Sequence, residues 1–323
     1  MKRPDPSRPI RLALLGCGSA AGMHGKTLGH FGDRVACWYA SRDPARAANF
    51  AARHGGSGSF GSYAEAIASE AIDAVMVLTP PHTHLELARA ALEAGKHLIV
   101  EKPPFFSTAD FDRVATLARE RDLQFMVAEN YFYKPSRLAL KSLLEERVIG
   151  DPLLIHLCAV KRQTTGDWRD DPRLAGGGAL FEGGIHWINF LANLGLPIRD
   201  IRGARPEPRG GAEKSALVTF TTDGGPVGTL AYSWEVPSLL KGLRISRIFG
   251  RDGSITFETN GLFIFVRGRR IRFRVPGLRD LTGYRAMFDD FLTALRRGSP
   301  PAFTPELARR DLELLERIEA SWR

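Results

Sequence analysis

Cysteine is scarce. The 323 residues hold three, Cys17, Cys37 and Cys158, and none sits in a CxxC pair or beside histidine at ligand spacing. That excludes a disulfide framework and a structural zinc, and it suits a reduced compartment. No stretch approaches the roughly 18 uninterrupted apolar residues of a membrane span. The basic start MKRPDPSRPI has no apolar run behind it to make a secretion signal. A cytoplasmic protein without a membrane partner is expected. Internal repeats and low-complexity tracts are missing too, which removes repeat architectures.

What remains is ordinary for a soluble globular chain: 44% hydrophobic and 25% charged residues, in a length suited to about two domains. The net charge of +9 and pI of 9.7 raise the question of nucleic acid. The basic residues are scattered among acidic ones, so no nucleic-acid partner is expected. One cluster exists, Arg267, Arg269, Arg270, Arg272 and Arg274. Ile271, Phe273 and Val275 alternate with its last members, the period of a strand with one wet face. The arginines are expected on the solvated side, with an anionic ligand on that face as the alternative.

Up to about residue 130, strand and helix signals alternate. Strands are read at Ile10–Leu15, Val35–Ala40, Ala74–Leu78, His97–Val100 and Phe125–Val127, as parts of a six-strand run. Helices are read from about Ala20 to Phe31, after the Asp43 cap with Pro44 at its first position, and at Tyr63–Ser69. Thr83-His84-Leu85-Glu86 has the form of a capping box for a helix ending at Gly95, and Ser107 opens another in the same way. Such alternation requires crossover connections and a parallel sheet. After Pro135 the rhythm changes. A helix (about Ser136–Arg147) and strand-like Leu153–Lys161 precede an apolar helix around Gly178–Asn193. Six extended segments follow between Ser215 and Val275, then two closing helices. The expected fold is α/β, a doubly wound Rossmann sheet over residues 9–130. An α+β domain with an antiparallel sheet over 131–323 completes it, its last helix (about 305–322) free to pack back on the first domain.

Gly16-Cys17-Gly18-Ser19-Ala20-Ala21 follows the first strand and opens the first helix. The first glycine permits a tight turn and the second lets backbone approach a pyrophosphate. Ala21 lets helix and strand pack closely, and the helix N-terminus at Ser19 and Ala20 attracts phosphates. An acidic residue about 20 positions on would mark NAD. Ser41 and Arg42 stand there instead, a hydroxyl and a guanidinium suited to a 2′-phosphate, while Asp43 is accounted for as the helix cap. NADP is therefore favoured over NAD.

Ligands of open α/β sheets sit beyond the carboxyl ends of the strands. Thr79, Pro80 and His84 leave the fourth strand and Glu101 and Lys102 the fifth, which makes all five candidates for cofactor contact. Lys102, between an apolar strand and two prolines, is open to two readings, a functional ammonium or a surface lysine in a turn. His82 and His84 have no third ligand nearby, so no metal is expected and backbone hydrogen bonds account for them better. In Gly176-Gly177-Gly178-Ala179-Leu180-Phe181-Glu182-Gly183-Gly184-Ile185-His186-Trp187-Ile188-Asn189, a continuous helix would align Glu182, His186 and Asn189 on one face. Gly183 and Gly184 each cost a helix about 1 kcal/mol relative to alanine. The close approach of a ligand or of backbone would justify them.

The GxGxxA fingerprint with His24 downstream, the Ala94-Gly95-Lys96-His97 turn into Glu101-Lys102-Pro103, and the GGG-x-L-x-E-x-G-x-H run together resemble the Gfo/Idh/MocA oxidoreductases over essentially the whole chain. The resemblance implies an open-faced antiparallel sheet in the second domain, which would bind substrate and mediate a homodimer or homotetramer. It also implies NAD(P) and a sugar- or cyclitol-like substrate. Lys102 matches the family's active-site lysine and His186 its usual acid/base. Glu182 falls where aspartate is usual, and Asn189 where a second aspartate is common. The expected reaction is hydride transfer between a carbinol and a nicotinamide, with Lys102, His186 and Glu182 as catalytic residues. Lys102, Trp168, Glu182, His186 and Asn189 would contact substrate, Trp168 being equally readable as core. Two alternatives stay open. One is a redox-neutral elimination, hydrolysis or epimerisation on a retained cofactor; the other is a non-catalytic NADP-sensing regulator.

Overall fold

A computed structural model describes residues 3–207, 212–237 and 242–322. In chain order it begins β1 (Ile10–Leu15), α1 (Ser19–Leu28), β2 (Val35–Ala40), α2 (Pro44–His54), β3 (Gly58–Phe60), α3 (Tyr63–Ala68), β4 (Ala74–Val77), α4 (His84–Glu93), β5 (His97–Glu101), α5 (Thr108–Glu120) and β6 (Phe125–Ala128). Then come α6 (Pro135–Glu145), β7 (Pro152–Val160), α7 (Pro172–Ala175), α8 (Ile185–Ala192), β8 (Ile198–Ala204), β9 (Ser215–Thr222) and β10 (Val227–Ser233). β11 (Ile245–Gly250), β12 (Gly253–Glu258), β13 (Ile264–Arg267), β14 (Ile271–Arg274), α9 (Tyr284–Arg297) and α10 (Pro305–Ala320) close the chain. Two compact units result. One comprises Met1–Glu129 and Tyr284–Arg309, the other Asn130–Gly283 and Arg310–Arg323.

The first unit is a six-stranded sheet ordered β3-β2-β1-β4-β5-β6, parallel at every pairing. Its central strands are buried on both faces, which is why Leu12–Leu15 and Ala74–Val77 are unbroken apolar runs. The Asp43 carboxylate accepts from the Ala45 and Arg46 N–H groups at the start of α2, and Ser107 accepts from Asp110 N at the start of α5. Thr83 does not cap α4. The chain enters that helix through a 3₁₀ turn, Pro81–Thr83, which already gives Thr83 N and His84 N carbonyl partners. The Thr83 hydroxyl turns back to Pro80 O instead. β3, only three residues long at the sheet edge, was not placed by the sequence reading.

The second unit holds an eight-stranded sheet ordered β14-β13-β12-β11-β7-β10-β9-β8. It is not wholly antiparallel. β7 and β10 pair in parallel, which the long excursion between them permits and a hairpin would forbid. α8 covers one face, with Phe190 stacked on Phe257 of β12 at 6.4 Å. The arginine-rich strand β14 has the expected period and the opposite orientation. Ile271 and Phe273 are 74% and 65% exposed, whereas Arg272 and Arg274 are half-buried, with Arg272 paired to Glu146, the residue that follows α6. Phe273 stands opposite Phe265 in the register, so the outer face is the apolar one. The helix expected over Gly178–Asn193 is also interrupted: Leu180–Gly184 forms a π turn ahead of α8.

One buried pair fixes the end of β5. His24 of α1 is fully enclosed, with Tyr284 and Phe288 of α9 set edge-on at 5.2 and 5.5 Å. Its Nε2 lies 2.9 Å from Glu101 Oε1, and Glu101 Oε2 accepts from Lys102 N at 2.6 Å. Burial by itself would raise the Glu101 carboxyl; the His24 hydrogen bond and charge and the Lys102 charge and N–H outweigh it and hold the group at about 2. A carboxylate held below its unfolded value adds stability that is complete above the unfolded pKa and is lost as pH falls through the folded one. Glu101→Gln is therefore expected to lower stability by roughly 2–3 kcal/mol near neutrality. In urea melts its deficit against the native protein should close between about pH 5 and pH 2; a deficit of constant size would show that the pair has no such role.

Candidate active site

The glycine turn after β1 has the form its sequence requires. Gly16 adopts φ +117°, and a Cβ there would lie 3.0 Å from Leu78 O. Gly18, the N-cap of α1, has nothing within 4 Å of the position a Cβ would take, and no side chain caps that helix. Donors of its first turn thus face an open cradle. Ser19 is exposed, Ala20 half-buried and Ala21 enclosed. Arg46 steadies the turn by donating Nε and Nη2 to Cys17 O at 3.0 and 2.7 Å. Beyond β2, Ser41 is buried with its hydroxyl accepting from Asp43 N, while Arg42 is exposed. These groups suit a dinucleotide: a concave turn without side chains, a helix N-terminus, and a cation after the second strand.

His84 ties the loops after β4 and β5 together. Its Nε2 lies 2.8 Å from Thr79 O and its Nδ1 3.1 Å from both Pro103 O and Pro104 O. Burial drives its pKa down against the pull of those carbonyls. With both ring nitrogens occupied it does not act with exposed His82. Thr79 and Pro80 therefore stand in fixed relation to the Lys102–Pro103 peptide, which is cis, and Lys102 itself is half-buried.

In the second unit the segment after α7 carries Glu182 and His186. A Cβ on Gly183 would overlap the Tyr232 hydroxyl of β10, and one on Gly184 would press on the Leu180 side chain. The reason for the glycine pair is thus the packing of a phenol and a leucine rather than a ligand. The Tyr232 oxygen accepts from Trp234 Nε1 at 2.7 Å. A π turn advances each residue by less than an α turn, so the single face expected for Glu182, His186 and Asn189 does not form. Glu182 is 7% exposed and accepts from Arg169 Nε at 3.2 Å. Asn189 is wholly enclosed and donates to Asp311 Oδ2 of α10 at 2.6 Å.

His186 is half-buried and lies flat on Tyr131, with ring centroids 4.3 Å apart and planes at 14°. Lys134 Nζ is 4.3 Å from the same Tyr131 ring, and Trp187 meets it edge-on. Arg137 of α6 donates to Phe132 O beside Tyr131 and to Asn193 O at the end of α8, joining the two segments that carry the stack. Trp168 is half-buried under the Arg169 guanidinium at 4.6 Å. Tyr131, Arg169 and Tyr232 escaped the sequence reading. The first and last resemble core aromatics, and only adjacency to Trp168 pointed toward Arg169.

Residues 10–129 match the family model described as oxidoreductase family, NAD-binding Rossmann fold, and residues 138–256 match the Gfo/Idh/MocA C-terminal domain. A levoglucosan dehydrogenase from Pseudarthrobacter phenanthrenivorans is 29% identical over 280 residues, covering 77% of this chain and 70% of that one. A dTDP-3,4-didehydro-2,6-dideoxy-alpha-D-glucose 3-reductase from Saccharopolyspora spinosa is 30% identical over 233 residues, covering 70% and 69%. A solved oxidoreductase from Thermotoga maritima superposes with a TM-score of 0.86 at 26% identity over 97% of both chains. With both family domains matched in order along its length, the chain belongs to the Gfo/Idh/MocA family of NAD(P)-binding oxidoreductases.

Proposed function

We propose that the protein moves a hydride reversibly between a carbinol carbon of a sugar- or cyclitol-like substrate and the nicotinamide of NADP. The names of its relatives, a levoglucosan dehydrogenase and a dTDP-sugar 3-reductase, support the substrate class. The observation that carries the reading is the His186 imidazole, held flat on Tyr131 next in the chain to the Glu182–Arg169 pair. Gly16, Gly18, Ser19, Ala20 and Ala21 would hold the pyrophosphate, and Thr79, Pro80, His84 and Glu101 would shape the site from the next strand ends. The nicotinamide, when bound, supplies a hydride acceptor or donor at C4.

The chain's own residues do the rest. His186 takes the hydroxyl proton, histidine being the side chain that most often serves as a general base. Lys102 offers a positive charge to the oxygen on which negative charge develops. Glu182, bound to Arg169, holds a neighbouring hydroxyl or orients the imidazole. Trp168 forms an apolar wall for the sugar ring. Preference for NADP rests on exposed Arg42 after β2 and on the Asp43 carboxylate being engaged with the N–H groups of α2, where it opposes a 2′-phosphate less.

We also propose a homo-oligomer in the reduced cytoplasm. Leu154, Val227, Phe249, Phe265 and Phe273 share the uncovered face of the eight-stranded sheet through its register, and an apolar face of this kind suits a second copy. The three thiols are all unpaired.

Two measurements test the reading. In a screen of sugars and cyclitols with NADP, followed at 340 nm, His186→Ala should lose about 10²- to 10⁴-fold in kcat and Lys102→Ala about 10²- to 10³-fold. His186→Ala keeping more than about a tenth of native turnover would remove its assigned role. In fluorescence titrations the native protein should bind NADP more tightly than NAD. Arg42→Ala should weaken NADP by about 10-fold, a loss of roughly 1.4 kcal/mol, and leave NAD unchanged; tighter NAD binding by the native protein would overturn the cofactor assignment.

A further inference from the structure

Glu213, outside every set of residues assigned so far, grips the segment that carries Glu182 and His186. Its backbone oxygen accepts from Ala179 N at 2.8 Å, and its Oε1 accepts from Leu180 N at 2.9 Å. Both donors stand where the helical run begins, and first-turn N–H groups have no partner within a helix. Glu213 is 5% exposed, so the bonds are shielded from water. A carboxylate at this end of a helical segment is also favoured by the backbone dipoles.

Room for that carboxylate exists because residue 178 is glycine. A Cβ on Gly178 would fall inside the Glu213 carboxylate, overlapping both oxygens. Its φ lies outside the left-handed region, so the requirement at 178 is for space and not for a special backbone conformation. Burial pushes the Glu213 carboxyl upward, with the Leu180 N–H and Arg205 pulling it back. Among the groups facing it is Glu319 of α10, raised to about 7 by burial and by repulsion from Glu213 and Glu316. The carboxylate is therefore kept in a costly place, where it accepts hydrogen bonds from Leu180 N at the start of the π turn and from its own N–H.

We infer that Glu213 is a positioning residue: with Gly178 it anchors the first residues of the π turn and so sets where Glu182 and His186 point. The inference rests on the proposed roles of those two side chains. Gly178 and Glu213 act as one device, a missing side chain and the carboxylate that fills its place.

The test uses the full chain with ¹³C-labelled histidine. Eight histidines are present, and His186→Ala identifies the His186 ring signals by their loss. In Glu213→Ala these signals should move toward the positions of an exposed imidazole as the Tyr131 stack loosens. Glu213→Gln, which keeps an accepting oxygen, should leave them in place. With the substrate found in the sugar screen, kcat of Glu213→Ala should fall about 10- to 100-fold while KM changes little, and Glu213→Gln should restore most of it. Gly178→Ala should match Glu213→Ala. Combining the two should cost nothing more, because the methyl enters the vacated space. Unmoved His186 signals with native kcat, or losses that multiply in the double variant, would overturn the inference. If Glu213→Ala does not fold, Glu213→Asp, whose carboxylate is withdrawn by one bond, decides on the same two readouts. An active His186→Ala would sink the proposed chemistry; an inactive His186→Ala beside a native-like Glu213→Ala would sink this inference alone.

Discussion

A phenol oxygen occupies the volume that a side chain at position 183 would need, and the start of α8 in the second unit is arranged around that contact. Because residue 183 is glycine, the backbone between Leu180 and Gly184 can settle close over Tyr232 of β10. Tyr232 is held in turn by Trp234 two residues on, so strand and turn share one packed layer. Interiors of this density do not deform gradually. The widened turn is thereby a fixed feature from which α8 starts, and the direction of His186 follows from it. The flat stack on Tyr131 holds the first turn of the same helix, and the Arg137 bond to Asn193 fixes its other end.

The Rossmann unit solves a different problem by a related means. Strand ends leave carbonyl groups that must find donors, and here long side chains from elsewhere supply them. Arg46 serves Cys17 O and Lys96 serves Ser69 and Ile72, while the His84 ring lies within hydrogen-bond distance of the Thr79, Pro103 and Pro104 carbonyls. Each of these bonds stiffens a loop at the edge of the sheet. The His24–Glu101 pair does the same for the strand that delivers Lys102. Polar groups buried in this unit are mostly such braces, which leaves the turn at Gly18 open for a ligand.

Much of this was readable in the residues themselves, and the failures share a cause. The parallel sheet announced itself through unbroken apolar strands and the glycine turn, because a strand buried on both faces has no alternative composition. β3 is Gly-Ser-Phe at an edge, too short to carry a period, and β8 reads Ile-Arg-Asp-Ile-Arg-Gly-Ala, whose charged outer face hides its alternation. In the arginine-rich strand the period was legible and the orientation was not, since a repeat of two says that the faces differ without saying which one is wet. The π turn was invisible for the same reason. Leu180, Phe181 and Ile185 suit an α-helix, and the group packed against the widened turn at Gly183 is Tyr232, some fifty residues further along. The aligned polar face of Glu182, His186 and Asn189 was an inference from local spacing, and it failed where a tertiary contact set the backbone.

Glu182 stands where the resembled family usually has aspartate, and its extra methylene has a visible use. The longer side chain reaches Arg169, which also bonds Asp167 and lies over Trp168. The loop of residues 167–169 is in this way attached to the π turn through one charged contact. A carboxylate one bond shorter would withdraw from the guanidinium by more than the roughly 0.5 Å that a positioned site tolerates. Because the pair is largely out of water, separating its charges is costly. A hydroxyl that draws Glu182 away from Arg169 must therefore also release the Trp168 loop, whereas one that binds alongside leaves the loop in place. The longer acid thus couples the position of Trp168 to the state of the carboxylate, a dependence that an aspartate at 182 could not impose.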